Sequence, residues 1–478
     1  MRTKIIGLVD CDSFFASCEK VFRPDWRNRP VVVLSNNDGC VVARSPEAKA
    51  LQIPMGEPYF KLKNFARARG VIVRSANYAL YGDMSRRVTT VLENWTENVD
   101  VYSIDEAFLE LTGQFCNADG RFPGETQASA SEPPLTVAQT RKRVQEWPNG
   151  PALGELPTET VQKLDALANE IVETTRKWTG IPVSLGLGPT RTLAKAASRI
   201  AKDEFAKTGK KYALLFDQER RNEALKRLPV EKVWGVGRRI APVLIKSGVR
   251  NAFELAKLDP NFMRQSFSIE QERLVRELRG ERVYDAITAP APQRSMQVSR
   301  SFGETIETLD ELAKPVSTFA AKIAAKLRAR ALVANGIYVY LMTSRFNERR
   351  PQRFAGDSFL FARPTNSSFE IVQTANSLLR KLYAPGYEYK KAGVVALETA
   401  TTEEANARRY LFELEPERSQ AAREREAILS SALDRLNARF GQGAVFFASE
   451  GVERKWRPNS EFVSPCYTTD WDALPCAH

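Results

Sequence analysis

Histidine is almost missing from this chain of 478 residues, since the single copy, His478, is the last residue. Imidazole general bases, Ser-His-Asp triads and histidine-rich metal sites are thereby nearly excluded. Hydrolytic or transfer chemistry has to rest on carboxylates, hydroxyls, lysines or a bound metal. Cysteine is scarce too, and Cys11, Cys18, Cys40, Cys116, Cys466 and Cys476 include no C-x-x-C pair. Neither a zinc site nor a disulfide framework is indicated. No run approaches the roughly 18 apolar residues that a membrane helix needs. The opening "MRTKIIGLVDCD" lacks a signal-peptide core with a small-residue cleavage site. The expectation is a cytoplasmic protein with reduced thiols and no membrane partner.

What the chain has in excess is positive charge: 70 Lys and Arg against 58 Asp and Glu, a net +12. That balance favours a polyanion such as nucleic acid, and acidic membranes attract it as well. A hydrophobic content of 43% is ordinary for a globular protein. The length implies about three or four domains.

The stretch "YSIDEAFLEL", Tyr102 to Leu111, sets two adjacent carboxylates, Asp105 and Glu106, among apolar, β-prone neighbours. Like charges side by side repel, and partial burial raises the cost unless a cation compensates them. Alone, the stretch reads equally as a hairpin turn with solvated acids or as a metal site. Its surroundings separate the two. "KIIGLVD" is a continuous apolar strand run ending in Asp10, followed by the helix-like "FFASCEKVF". A second strand run, "RPVVVLS", leads to the turn "NNDG", the short helix "PEAKAL" and the punctuation "IPMG". Then come the strand "GVIVRSA", a helix from about Tyr78 to Trp95 and the hairpin "VDVYSID" with "EAFLELT".

Residues 114 to 160 are rich in Pro, Gly, Ser and Ala and read as an inserted, partly disordered loop. An amphipathic helix follows, with Val161, Leu164, Ala168, Ile171, Val172, Thr175 and Trp178 on one face. The strand "IPVSLGLG" and the helix "TRTLAKAASRIAKD" come next. Without the excursion and the loop, the succession is strand, helix, hairpin, helix, strand, the ferredoxin-like order. In that layout the first strand lies beside the hairpin, so Asp10 meets Asp105 and Glu106. Three converging carboxylates suit a pair of metal ions and in-line phosphoryl transfer, and Mg2+ is the expected ion.

In "LPVEKVWGVGRRIAPVLIKSGVRNAFELAKL", Gly235 and Gly237 separate two helical patterns, and Arg238 and Arg239 follow at once. This reads as a helix-hairpin-helix whose turn approaches a phosphate, or as an ordinary helical turn with a capping glycine. Residues 291 to about 400 form a further mixed α/β pattern. There Val316, Phe319, Ile323 and Leu327 make a core stripe, with Lys322, Lys326 and Arg330 on an adjacent face, either DNA-facing or merely solvated.

The ordered stretches "DCDSFFASCEKVFRP", "RPVVVLSNNDGCVVARSPEAKAL", "NYALYGDMSRRV", "YSIDEAFLELTG", "TRTLAKAAS", "VWGVGRRI", "SRSFGE", "YKKAGV" and "SPCYTT" closely resemble Y-family translesion DNA polymerases, in particular the UmuC-type catalytic subunits of DNA polymerase V. The resemblance covers most of the chain outside 114 to 160. It implies an α+β right-hand polymerase: a ferredoxin-like palm (1–14 and 76–202), small fingers (15–75), a helix-hairpin-helix thumb (203–287), an α/β little finger (291–400) and a partner-binding tail (401–478). It implies metal-binding and catalytic roles for Asp10, Asp105 and Glu106, with the Cys11 carbonyl as a further ligand to two Mg2+ ions. Phe15 matches the steric gate against a ribose 2′-hydroxyl, with Phe14 beside it as a core residue. Lys195 matches the lysine on the incoming triphosphate. Lys49 stands where many relatives carry an arginine, and Pro46 where relatives outside this branch often have a tyrosine. Gly235, Gly237, Arg238, Arg239, Lys322 and Lys326 are the expected DNA contacts.

The clamp-binding peptide common in the family is reduced here to Leu411 and Phe412 in "RRYLF", so a clamp site and a plain linker are both open. The implied function is error-prone extension of a primer opposite damaged template in the SOS response. The implied partners are primer-template DNA, a deoxynucleoside triphosphate, a processed UmuD-like dimer, the RecA filament and the sliding clamp. A two-metal nuclease and a non-catalytic DNA-damage scaffold on the same fold are the rival readings.

Overall fold

Runs of β-branched and leucine residues with few polar interruptions supply the central strands. The computed structural model describes residues 3–116, 122, 155–284, 293–347, 349–407, 420–453 and 455–474. Two bodies emerge, one of Met1–Leu34, Cys40–Ala289 and Phe462–His478, the other of Ser35–Gly39 and Pro290–Glu461.

In the first body, β1 (Ile6–Cys11), β2 (Val31–Leu34), β3 (Val41–Arg44), β4 (Ile72–Ser75), β5 (Val99–Val101), β6 (Glu106–Glu110), β7 (Val183–Gly188) and β8 (Tyr212–Leu214) make two sheets. The larger has the order β5-β6-β1-β7-β8, with β1 antiparallel to both its neighbours. The smaller, β3-β2-β4, shares a core with the helix Tyr59–Ala68, through Leu62 and Ala66, and with Ala48 of the helix Pro46–Ala50. Because side chains alternate along a strand, β1 buries Val9 and Cys11 in the main core and Ile6 and Leu8 in a small cluster with Phe108 and Ala194. Ala194 belongs to the helix Arg191–Thr208, so that helix covers the Ile6/Leu8 face, the one that continues into Asp10.

The approach of that helix is set by a missing side chain. A Cβ on Gly186 would lie 2.0 Å from the Ala194 carbonyl oxygen and 2.0 Å from the Ser198 amide nitrogen. Only glycine at that point of β7 lets the helix backbone press onto the sheet. The helix Thr158–Thr179 begins inside the expected inserted loop and buries Leu164, Ala168, Ile171, Val172 and Thr175. Trp178, expected on the same face, is instead 63% exposed. Its position drifts off the stripe by the last turn, where Thr179 takes the buried place.

Helices between Gln218 and Leu278 form a further core around Leu225, Leu244, Leu255 and Val275. The expected pair of helices around Gly235 and Gly237 takes a different form. The element before the turn is the 3-10 helix Val230–Lys232, and the next α-helix starts only at Ala241.

The second body has β9 (Ser295–Ile306), β10 (Leu332–Thr343), β11 (Phe354–Thr365) and β12 (Tyr389–Thr401) in the order β11-β10-β12-β9, antiparallel throughout. The helices Leu309–Arg328 and Ser368–Leu382 pack together beside it, and Val316, Phe319, Ile323 and Leu327 are fully buried as the stripe predicts.

Candidate active site

The register of β1 and β6 sets Asp10 directly opposite Glu106, and that of β1 and β7 sets Asp10 opposite Ser184. Residues opposite each other in a ladder share a face, so the two carboxylates project together toward the helix Arg191–Thr208. Asp105 closes the turn into β6, where its carbonyl accepts from the Cys11 amide at 2.8 Å and its Oδ1 accepts from the Ser103 hydroxyl at 2.6 Å. The turn is tight, because the Tyr102 and Ser103 amides both donate to the Glu106 carbonyl at 3.0 Å.

Like charge at such spacing needs compensation, and lysines provide it. Lys195 donates to Glu106 Oε2 at 2.8 Å, and its ammonium also lies 4.9 Å from the Tyr102 ring centre and 5.1 Å from that of Trp234. Lys202 pairs with Asp10 and reaches Asp12 at 3.3 Å. Asp12 is further held by Lys211 at 2.8 Å and by the Ser184 hydroxyl at 2.8 Å. Burial pushes the Asp10 carboxyl up to about 6; Lys202 opposes the rise, and Glu106 and Asp105 add to it. Burial alone would lower the Lys202 ammonium, but Asp10 and Asp12 outweigh it and hold it above its ordinary value. The buried Cys11 thiol is raised by desolvation and then by Asp10 and Asp105, which favours the uncharged thiol.

Asp12, Lys202 and Lys211 were not among the residues expected from the sequence. One periodicity carries a signal: Lys202 follows Lys195 by seven, two helical turns.

As the side chains stand, no three Cys, His, Asp or Glu groups converge to enclose a metal ion among the described residues. The ammonium groups of Lys195 and Lys202 occupy the positions of positive charge. The donor chemistry nonetheless fits a hard divalent cation, since carboxylate oxygens are what Mg2+ prefers.

Phe15 is half-buried on the helix Phe14–Val21 and stacks on Tyr81, with ring centres 4.4 Å apart and planes 14° apart. Tyr78 meets it edge-on at 5.9 Å, while Phe14 is buried in the core. Lys49, in the helix Pro46–Ala50, donates to the Ser13 hydroxyl at 2.8 Å, and burial lowers its ammonium. Gly235 takes a φ of +90°, its carbonyl accepts from Gln271 at 3.1 Å, and Gly237, Arg238 and Arg239 are exposed. In the second body, Lys322 and Lys326 lie on the exposed side of their helix. Leu411 and Phe412, and residues 117–121 and 123–154 of the expected insertion, lie outside the described residues. No helix among the described residues is long and apolar enough to cross a membrane.

The family model described as impB/mucB/samB matches residues 9–199, its C-terminal domain model matches 293–409, and a domain of unknown function matches 427–477. The chain is 36% identical to protein SamB of Salmonella typhimurium over 99% of both chains. It is 37% identical to protein UmuC of the same organism, over 98% of this chain and 99% of that one. Among solved structures, a Y-family DNA polymerase chimera aligns with a TM-score of 0.58 at 18% identity, over 83% of this chain and 99% of the other, which is a likeness of fold. The α+β architecture is that of a Y-family polymerase, and by sequence the chain belongs to the impB/mucB/samB family, UmuC-like over its whole length.

Proposed function

We propose that the chain is a DNA-directed DNA polymerase that adds deoxynucleotides to a primer 3′-hydroxyl opposite damaged template, with low fidelity, in SOS-type damage tolerance. The observation that carries this reading is the β1–β6 register, which sets Asp10 opposite Glu106 on a face lined by Lys195 and Lys202. Family membership supports it.

Asp10, Asp105, Glu106 and the Cys11 carbonyl would hold two Mg2+ ions. When bound, the ions supply charge stabilisation for the attacking and leaving oxygens of an in-line displacement. The chain's own residues do the rest. Lys195 leaves Glu106 for the triphosphate, a point charge on a flexible stem suited to that exchange. Lys49 adds a second ammonium from the fingers side. Phe15, backed by Tyr81, fills the space of a 2′-hydroxyl. The turn at Gly235 and Gly237 with Arg238 and Arg239, and the Lys322/Lys326 face, grip phosphates without reading sequence.

In this reading residues 1–14 and 76–202 are palm, 15–75 fingers, 203–287 thumb and 291–400 little finger. The 401–478 region carries partner contacts to a processed UmuD-like dimer and the RecA filament, and Leu411 and Phe412 dock on the sliding clamp. The cellular site of action is the cytoplasm. Extension of a 5′-labelled primer with four deoxynucleotides and Mg2+ tests the assignment: a polymerase lengthens the label-bearing strand, a two-metal nuclease shortens it, and a scaffold leaves it unchanged.

A further inference from the structure

The C-terminal stretch Phe462–Tyr467 has no part in the chemistry above, yet it is built into the first body around the helix that carries Phe15. The Ser464 hydroxyl donates to Glu19 Oε1 at 3.1 Å, and the Tyr81 hydroxyl donates to the same oxygen at 2.7 Å. Asn77 Nδ2 donates to the Ser464 hydroxyl and carbonyl oxygens, each at 3.1 Å, while Asn77 Oδ1 caps the helix Tyr78–Leu92 by accepting from the Leu80 amide. Tyr467 stacks on Phe22, the residue that ends the helix Phe14–Val21, with ring centres 4.8 Å apart and planes 19° apart. Phe462 is fixed by its amide to the Ser75 hydroxyl at 2.9 Å and by its carbonyl to the Ser75 amide at 3.2 Å.

Two helices therefore converge on one segment from far along the chain. One carries Phe15, Glu19 and, at its end, Phe22; the other carries Tyr78 and Tyr81 above the Asn77 cap. Phe15 and Tyr81 stack between them. Glu19, Tyr81, Asn77 and Ser464 are all buried, and Glu19 Oε2 already has no hydrogen-bond partner. A buried network with no spare partner is sensitive to losing one more.

From this we infer that Phe462–Tyr467 is part of the nucleotide site's scaffold, and that Ser464, through Glu19 and Asn77, is a positioning residue that keeps Tyr81 and Phe15 in their stack. The inference rests on the reading of Phe15 as the sugar-selecting ring. It gives the tail an intramolecular role distinct from contacts to partners.

The test uses the full chain in parent, Ser464→Ala, Glu19→Leu, Glu19→Gln and Phe15→Ala forms, each checked for folding by thermal melting. One readout is the ratio of kcat/KM for a deoxynucleotide over its ribonucleotide. The other is the 19F resonance of 4-fluorophenylalanine installed at position 15 alone. Ser464→Ala and Glu19→Leu are expected to lower the ratio about fivefold to tenfold, the scale of one buried hydrogen bond, and to shift or broaden the resonance. Glu19→Gln, which keeps the acceptor, is expected to retain both. If Phe15→Ala abolishes selectivity while Ser464→Ala keeps the parent ratio and resonance, the positioning role is overturned. If Phe15→Ala leaves selectivity intact, the gate reading fails instead. The resonance then decides the positioning role, and an unshifted signal in Ser464→Ala refutes it. Should Glu19→Leu not fold, Ser464→Ala carries both readouts.

Discussion

At the residue scale, the site is a balance between partly buried carboxylates and the ammonium groups set among them. Lys202 is the most telling of these, since its pair with Asp10 is only about one quarter exposed on either side. Removing one partner of such a pair strands the other. Lys202→Met is expected to destabilise the metal-free protein by about 1–3 kcal/mol, less than a fully buried pair because solvent still screens it. A divalent cation held by the same carboxylates would supply the missing charge, so millimolar Mg2+ is expected to restore the urea midpoint, whereas EDTA leaves the loss in place. Equal midpoints for parent and variant in EDTA would show that the ammonium compensates nothing. The sequence disclosed the acids here better than their partners. Asp10 ends an apolar run and Asp105 and Glu106 interrupt one, so burial of charge was legible. Lys211, just before Tyr212–Leu214, looks like any solvated lysine until the fold brings it to Asp12, and Lys202 shows only its seven-residue spacing from Lys195.

At the scale of elements, the decisive contact is the helix Arg191–Thr208 on β7, since it delivers both Lys195 and Lys202 to the carboxylates. A methyl group on Gly186 has no room, with backbone atoms of Ala194 and Ser198 at 2.0 Å. Gly186→Ala is accordingly expected to cost about 3 kcal/mol or more in a thermal or urea melt; a change under about 0.5 kcal/mol would mean that the helix is not seated as described. Elements whose pattern was strong in the sequence, such as β1 and the stripe Val316, Phe319, Ile323 and Leu327, are found where the pattern puts them. Trp178 was misread because its spacing fitted the stripe while the drift of 3.6 residues per turn carried it to solvent. The element before Gly235 differs from the expected helix because "LPVEK" carries helical composition but folds into a single 3-10 turn. The exposed Lys322 and Lys326 give a prediction of their own. If both contact phosphates, replacing them with Gln lowers the slope of log K against log salt for duplex DNA by about 1.8; an unchanged slope would return that face to the solvent.

At the scale of the whole molecule, the net charge of +12 suits a polyanionic partner, and against it the β1–β6 register brings the carboxylates of Asp10 and Glu106 together from distant parts of the chain. The meeting of Asp10 with Glu106 was legible because a strand, helix, hairpin, helix, strand order leaves little choice about which strand lies beside the hairpin. The role of the tail was not legible, because Ser464 and Glu19 are 445 residues apart and nothing local marks either as a partner of the other. If Asp10, Asp105 and Glu106 drive templated synthesis, extension of a labelled primer past an abasic template site in Mg2+ reveals it, with the parent and Asp105→Ala side by side. The parent is expected to lengthen the primer through the lesion, and Asp105→Ala to do so slower by on the order of 10²- to 10³-fold while melting at the parent temperature. Undiminished extension by Asp105→Ala, or a primer shortened by the parent, would contradict it.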